Sequence, residues 1–325
     1  MFRTAELGSS ISKDEYSEQE PLLRQQLLDL QRELRELGGF PVVVVFAGVD
    51  GAGKAQTINL LNEWMDPRWL VTRAYDKPSD EERERPEFWR FWRDLPPKGH
   101  IGLFLSSWYS RPVLDWVYDK TNTARFADRL DRIVAFENAL AEDRALVLKF
   151  WMHISKEVQK ERLETLENDP LRKWRMSEID WKHYEMYDRF IEAAEQIISV
   201  TNTGHAPWEI VEGQDYFYRS LRVGEIIQDI VVAAENVRRD IDLSSPTGSM
   251  NYADAGLKEL EQRQAFIAVQ RANIIDRTIA LTDRITVIGF FASIFLTATL
   301  GFFLVRYTNK SLKRLKTGTQ RIGSG

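Results

Sequence analysis

The sequence contains no cysteine among its 325 residues, which excludes disulfides, thiolate metal sites and cysteine nucleophiles. Histidine is sparse: His100, His153, His183 and His205 are scattered, with no metal-ligand spacing between them. Residues 1–10 hold no long apolar core, so no signal peptide is visible. No tryptophan follows Trp208, although the chain has ten. Charge is uneven as well: residues 1–245 carry 33 basic and 44 acidic side chains, residues 246–325 carry 11 and 5. The overall charge of −5 therefore joins an acidic segment of −11 to a basic one of +6, and two compositions point to two origins. The acidic bulk argues against nucleic-acid binding. The length fits one large domain, or one domain with an appendage.

The first strong helical pattern begins near Ser17, where Ser17-x-x-Glu20 reads as a capping box with Pro21 just inside. Leu23, Leu27, Leu30, Leu34 and Leu37 recur at helical spacing until Gly38-Gly39 stops the pattern. The run Val42-Val43-Val44-Val45-Phe46 has no polar alternation, which predicts a strand buried on both faces of a parallel sheet. Further strands are predicted over 69–73, 101–105, 145–151 and 208–211. Helices are predicted over 124–142, 156–167, 178–198 and 218–238. Such alternation implies an α/β fold, a parallel sheet flanked by helices.

Between the first strand and the next helical pattern lies Gly48-Val49-Asp50-Gly51-Ala52-Gly53-Lys54. A strand, a glycine-rich turn and a helix start gather backbone N–H groups around one point, where the helix dipole and Lys54 add positive charge. Gly51 and Gly53 let the backbone turn with no side chain in the way. The expected phosphate-binding residues are Gly48, Gly51, Ala52, Gly53 and Lys54, on a P-loop kinase-like domain. The residue after Lys54 is Ala55, where ordinary P-loop enzymes have the Ser or Thr that holds Mg²⁺. A metal needs another ligand, and Asp50 is the natural candidate.

Gly48-x-Asp50-x-x-Gly53-Lys54 with Thr57 resembles the polyphosphate kinase type 2 family, which has the same Asp and lacks the same hydroxyl. The resemblance continues through Lys77-Pro78, Trp89-x-x-x-Arg93, Ser107-Trp108-Tyr109-x-Arg111, Lys149-Phe150-Trp151-x-His153-Ile154-Ser155, Asp169-Pro170-Leu171, Lys173-Trp174 and His205-Ala206-Pro207-Trp208. It spans roughly residues 1–240. The N-terminal helix, the stretch Leu61 to Arg68 and Trp108-Tyr109-Ser110 look like the first half of the two-module members, which transfer phosphoryl groups between polyphosphate and AMP. The resemblance implies polyphosphate and AMP or ADP as partners, Mg²⁺ as cofactor, a homo-oligomer and a cytoplasmic domain. It assigns catalysis to Asp50, Lys54 and Arg111, metal binding to Asp50, phosphate contact to Lys77, and a basic lid to Lys173 and Arg175.

The sequence departs from the family at one motif. Where the family reads Asp-Arg-Ser-Trp-Tyr-Asn-Arg, this chain reads Leu105-Ser106-Ser107-Trp108-Tyr109-Ser110-Arg111. The second metal carboxylate is thus Leu105, which cannot bind Mg²⁺. A weakly active or inactive module is expected, and a non-catalytic phosphate-binding or dimerisation module is the alternative. Other features stay open between two readings. Trp89, Trp92 and Trp108 could stack on a nucleobase or pack in the core; Arg172, Lys173 and Arg175 could form a lid or a solvated turn. Asp80-Glu81-Glu82-x-Glu84 could start a helix or recruit a metal, and His153 and His205 read as structural.

By composition, residues 1–243 form the kinase-like domain and 244–252 a linker. A polar helix is expected over 253–284. Residues 285–305 run uncharged for 21 residues, a length that suits a transmembrane helix, with a buried soluble helix as the alternative. Residues 306–325 resemble the start of a HAMP module. Their basic residues place the C-terminus in the cytoplasm, which would leave residues 1–284 outside, in conflict with a cytoplasmic kinase. A membrane-anchored signalling fusion is therefore a further alternative, beside an artificial join of two genes.

Overall fold

The computed structural model describes residues 1–37 and 39–244. The expected linker beyond Ser244, the polar helix, the transmembrane helix and the HAMP-like segment lie outside the described residues. Among the described residues no helix is long and apolar enough to cross a membrane.

The sheet has five strands: β1 (Val42–Gly48), β2 (Leu70–Ala74), β3 (Ile101–Leu105), β4 (Leu146–His153) and β5 (Trp208–Glu212). They lie in the order β2-β3-β1-β4-β5, and all four pairings are parallel. Val42 to Val45 are 0% exposed, because β1 sits at the centre with helices over both faces. The unbroken apolar run is the sequence form of that double burial.

The helices are α1 (Lys13–Leu37), α2 (Lys54–Trp64), α3 (Asp80–Glu84), α4 (Trp89–Arg93), α5 (Ser110–Val117), α6 (Thr123–Glu142), α7 (Lys156–Glu167), α8 (Glu178–Glu185), α9 (Tyr187–Thr201) and α10 (Tyr216–Ser244). α1 and α2 pack with α10, while α5 and α6 pack with α9. The leucine stripe of α1 supplies Leu23, Leu27, Leu30 and Leu34 to the core. Two expectations need correction. α1 starts at Lys13, capped by the Ser12 hydroxyl, which accepts from the Glu15 N–H at 3.2 Å. Ser17 lies inside the helix and returns its hydroxyl to the Lys13 carbonyl at 2.8 Å, so it caps nothing. The single helix expected over 178–198 is two helices meeting at Met186. α9 buries Ala193, Ala194, Ile197 and Ile198, whereas α8 buries no residue. Nothing in the local composition marks the break, since neither Gly nor Pro stands there.

Beneath the sheet's centre lies a charged pair with no access to water. Glu137 of α6 and Lys149 of β4 are both 0% exposed, 2.7 Å apart. The Lys149 ammonium has three donors and finds three acceptors: Glu137, the Thr201 carbonyl at 2.7 Å and the Tyr109 hydroxyl at 3.0 Å. Glu137 also accepts from the Tyr109 hydroxyl at 2.7 Å and the Trp108 indole at 3.0 Å. Burial pushes the Lys149 ammonium down to about 8, and Glu137 limits the fall. Complete satisfaction is what makes a buried lysine tolerable in a strand.

Removing one partner strands the other charge in the core. Glu137→Ala is expected to cost about 3–5 kcal/mol, read as a lowered urea midpoint. Glu137→Ala with Lys149→Met is expected to recover part of that loss.

Candidate active site

The turn from β1 to α2 needs backbone that only glycine supplies cheaply. Gly48, Gly51 and Gly53 have φ of 134°, 84° and 91°. A Cβ on Gly48 would stand 2.1 Å from the Met152 carbonyl oxygen, and one on Gly53 would stand 2.3 Å from the Arg219 guanidinium. The loop is thus pressed against β4 on one side and α10 on the other.

Two arginines hold the loop's carbonyls. Arg162 of α7 donates to the Gly51 carbonyl, and to those of Gly213 and Gln214 at 2.9 and 2.6 Å. Arg219 of α10 donates to the carbonyls of Gly213 at 2.9 Å and Ala52 at 3.4 Å, and to the Gln56 amide oxygen at 3.0 Å. Burial, then the charge of Arg162, bring the Arg219 guanidinium down to about 10, so it remains a cation at neutral pH. With its carbonyls tied back, the loop keeps amides and the unsatisfied N–H groups of the α2 start for an anion. Nothing in the sequence marks Arg162 or Arg219, which stand more than 100 residues downstream of the loop.

Lys54 donates to the carbonyls of Gly48 at 2.7 Å and Val49 at 2.9 Å, and to Asp50 Oδ1 at 3.2 Å. The other oxygen of Asp50 lies 2.8 Å from Nδ1 of His183 on α8, whose Nε2 lies 3.0 Å from the Tyr118 hydroxyl. A carboxylate only accepts, so Nδ1 carries the hydrogen. Burial alone would raise Asp50; Lys54 and His183 outweigh it and hold the carboxyl well below the usual carboxylate range. His183 escapes a sequence reading because its partners, Asp50 and Tyr118, are remote in sequence.

A cavity of about 230 Å³ opens beside the loop. Phe46, Val113, Trp151, Tyr187 and Phe190 form apolar walls; Asp50, Lys54, Ser106, Ser110 and His183 supply polar atoms. Ser106 takes a left-handed φ of 57°. Leu105, at the end of β3 opposite Phe46, brings no oxygen from its side chain. Asp50 is therefore the cavity's single carboxylate, and both its oxygens are engaged. Among the described residues no three acidic or histidine side chains gather to hold a metal. One carboxylate is too few to cage Mg²⁺ with protein oxygens alone, and the ion's remaining positions would fall to water and substrate phosphate.

Arg111, Lys77 and Lys173 are not among the residues that line the cavity. Arg111, in the first turn of α5, is 65% exposed and lies 3.7 Å from Asp115. Lys77 is exposed between β2 and α3, with its N–H on the Asp76 carboxylate at 2.7 Å. Lys173 and Arg175 share one 3₁₀ turn between α7 and α8, with the Lys173 side chain exposed. The tryptophans pack among other side chains: Trp108 lies edge-on to Phe91 and Phe136, Trp92 edge-on to Phe136, and Trp89 lies under Arg85 and Arg93. Ser79 caps the acidic helix α3, and Glu82 pairs with Arg90 and Arg93. His153 is buried, 2.7 Å from Glu6 and stacked on Phe2. His205 lies 3.2 Å from the Thr203 hydroxyl.

The Asp50 arrangement has a pH signature. A carboxyl lowered on folding stabilises the fold above its unfolded pKa, and that contribution is lost as pH falls through the lower folded value. The unfolding free energies of the native chain and Asp50→Asn are expected to differ above about pH 4 and to converge as acid is added. Denaturant melts across that range check it; a constant gap would contradict the assignment.

Comparison with known proteins agrees with this geometry. The family model of polyphosphate kinase 2 matches residues 10–239. A polyphosphate:AMP phosphotransferase of Pseudomonas aeruginosa is 46% identical over 234 residues, 72% of this chain and 47% of that protein. A GDP-polyphosphate phosphotransferase of Mycolicibacterium smegmatis is 32% identical over 201 residues, 62% of this chain and 71% of that protein. The crystal structure of a putative polyphosphate kinase 2 from Pseudomonas aeruginosa PA01 superposes with a TM-score of 0.65 at 43% identity, over 72% of this chain and 47% of that one. The chain thus spans about half the length of the first of these relatives. With a match over most of its length and the loop, strand order and helices in place, the chain belongs to the polyphosphate kinase 2 family.

Proposed function

We propose that residues 1–243 form a phosphotransferase module that moves a phosphoryl group between inorganic polyphosphate and AMP or ADP. The observation that carries this reading is the built phosphate cradle, with carbonyls tied back by Arg162 and Arg219 and amides left for an anion. Membership of the polyphosphate kinase 2 family supports polyphosphate as the anion, and the activity for which the Pseudomonas aeruginosa relative is named supports AMP as the acceptor. In the reaction a terminal P–O–P bond of polyphosphate breaks and a new one forms to the acceptor's phosphate oxygen. Catalysis of this kind is mostly positioning and charge neutralisation. Lys54 and the loop amides hold the phosphates, and the reading gives Arg111 and Lys77 the neutralisation of phosphate charge and Lys173 and Arg175 the basic lid. The reading places the module in the cytoplasm, as a homo-oligomer, with polyphosphate and an adenine nucleotide as its partners.

A second reading, phosphate binding without transfer, is favoured by Leu105 and Ser106, which leave the cavity one carboxylate and no arginine where the family pattern has both. The full chain, given polyphosphate and AMP or ADP, separates the two. Transfer that Lys54→Ala lowers by about 10²–10³-fold supports catalysis, and Leu105→Asp with Ser106→Arg is then expected to raise the rate. Polyphosphate binding with no transfer above the Lys54→Ala background supports the second reading.

A further inference from the structure

The segment from Asn168 to Met186 joins two well-packed helices yet is itself thinly attached. Leu171 and Trp174 are 84% and 76% exposed, and α8 buries no residue. One side chain of α8 nevertheless enters the cavity. His183 is only 14% exposed, its ring meets Phe190 at 4.9 Å and 62°, and its two nitrogens bridge Asp50 and Tyr118. With so little apolar area holding α8, polar contacts decide where it rests. Asp50 can serve this contact because nothing else claims its Oδ2, and Leu105 leaves no second carboxylate to share a cation with it.

We propose that His183 is a positioning residue. It latches α8, and with it the basic turn Lys173–Arg175, to the phosphate loop, and in this chain the Asp50 carboxylate anchors that latch rather than a resident metal. The latch extends the proposed phosphoryl-transfer reading, since it sets where the basic turn stands relative to bound phosphates. Its physical content does not depend on turnover. The bridge is directional: Nδ1 supplies the hydrogen to Asp50, while Tyr118, at the end of α5, fixes the ring's other edge. Lys182, the neighbour of His183, lies 4.9 Å over the Tyr118 ring and adds to the same contact.

Hydrogen exchange on the full chain, without substrate, tests the latch directly. His183→Ala is expected to speed amide exchange across residues 177–186 by about tenfold or more, the loss of one hydrogen bond to a charged group, with β1 and β4 unchanged. His183→Asn is expected to restore protection, because the Asn amide nitrogen can stand where Nδ1 stands; a merely space-filling role would not show this rescue. Mg²⁺ alone, at millimolar concentration, is expected to leave α8 protected. The proposal is overturned if His183→Ala exchanges like the native chain, if His183→Asn is no better than Ala, or if Mg²⁺ alone loosens α8, which would make Asp50 a metal ligand. Absence of phosphoryl transfer would defeat the proposed function and leave these three outcomes as informative as before.

Discussion

The Glu137–Lys149 pair is the constraint on which the site depends. It ties α6 to β4, and through Tyr109, Trp108 and Thr201 it reaches the start of α5 and the end of α9. Of these elements β4, α5 and α9 also contribute lining residues to the cavity. Ser106 can sit in a left-handed conformation because Ser107, Trp108 and Tyr109 behind it are buried. Three sequence motifs that look separate on paper converge on this one network, Ser107-Trp108-Tyr109, Lys149-Phe150-Trp151 and His205-Ala206-Pro207-Trp208, joined by Glu137 of α6. Trp208 joins by donating its indole N–H to Thr201 at 2.8 Å.

On the other side of the cavity the loop is governed by charge of opposite sense. Arg162 and Arg219 draw its carbonyls outward, while Lys54 and His183 converge on its one carboxylate. The result is a turn whose negative ends are all engaged by cations or N–H donors. An arriving phosphate meets a surface from which repulsion has been removed before it binds, which is electrostatic preorganisation in a small volume. The same arrangement leaves a metal to draw most of its oxygens from water and phosphate.

Much of the fold is legible in the sequence. The strands announce themselves as short apolar runs, and the helices 156–167 and 124–142 as periodic patterns, because burial imposes those patterns locally. Gly48 to Lys54 is legible for the same reason, since a strand, three glycines and a lysine are contiguous. What stays hidden is whatever depends on pairing across the chain. Arg162, Arg219 and His183 each reach the phosphate loop from more than 100 residues downstream. The break at Met186 is hidden because neither Gly nor Pro marks it, and only the structure shows that α9 is buried where α8 is not. Arg111 is the reverse case: the motif singles it out, yet its side chain lies at the surface of α5.

The close approaches around the loop bear on how this family should be read from sequence. Gly48 touches the β4 backbone, Gly53 the buried Arg219, and Gly213 the Ala52 carbonyl, where a Cβ would come within 2.5 Å. These are demands of packing, and they would persist in a descendant that had stopped transferring phosphate. A glycine signature at 48, 53 and 213 therefore reports that the framework still folds. Loss of chemistry would be written elsewhere, at positions such as 106 and 110, whose side chains line the cavity, and at 105 at the end of β3. In this chain the glycines stand while 105, 106 and 110 depart from the family pattern, a difference that a search scoring the loop alone would not see.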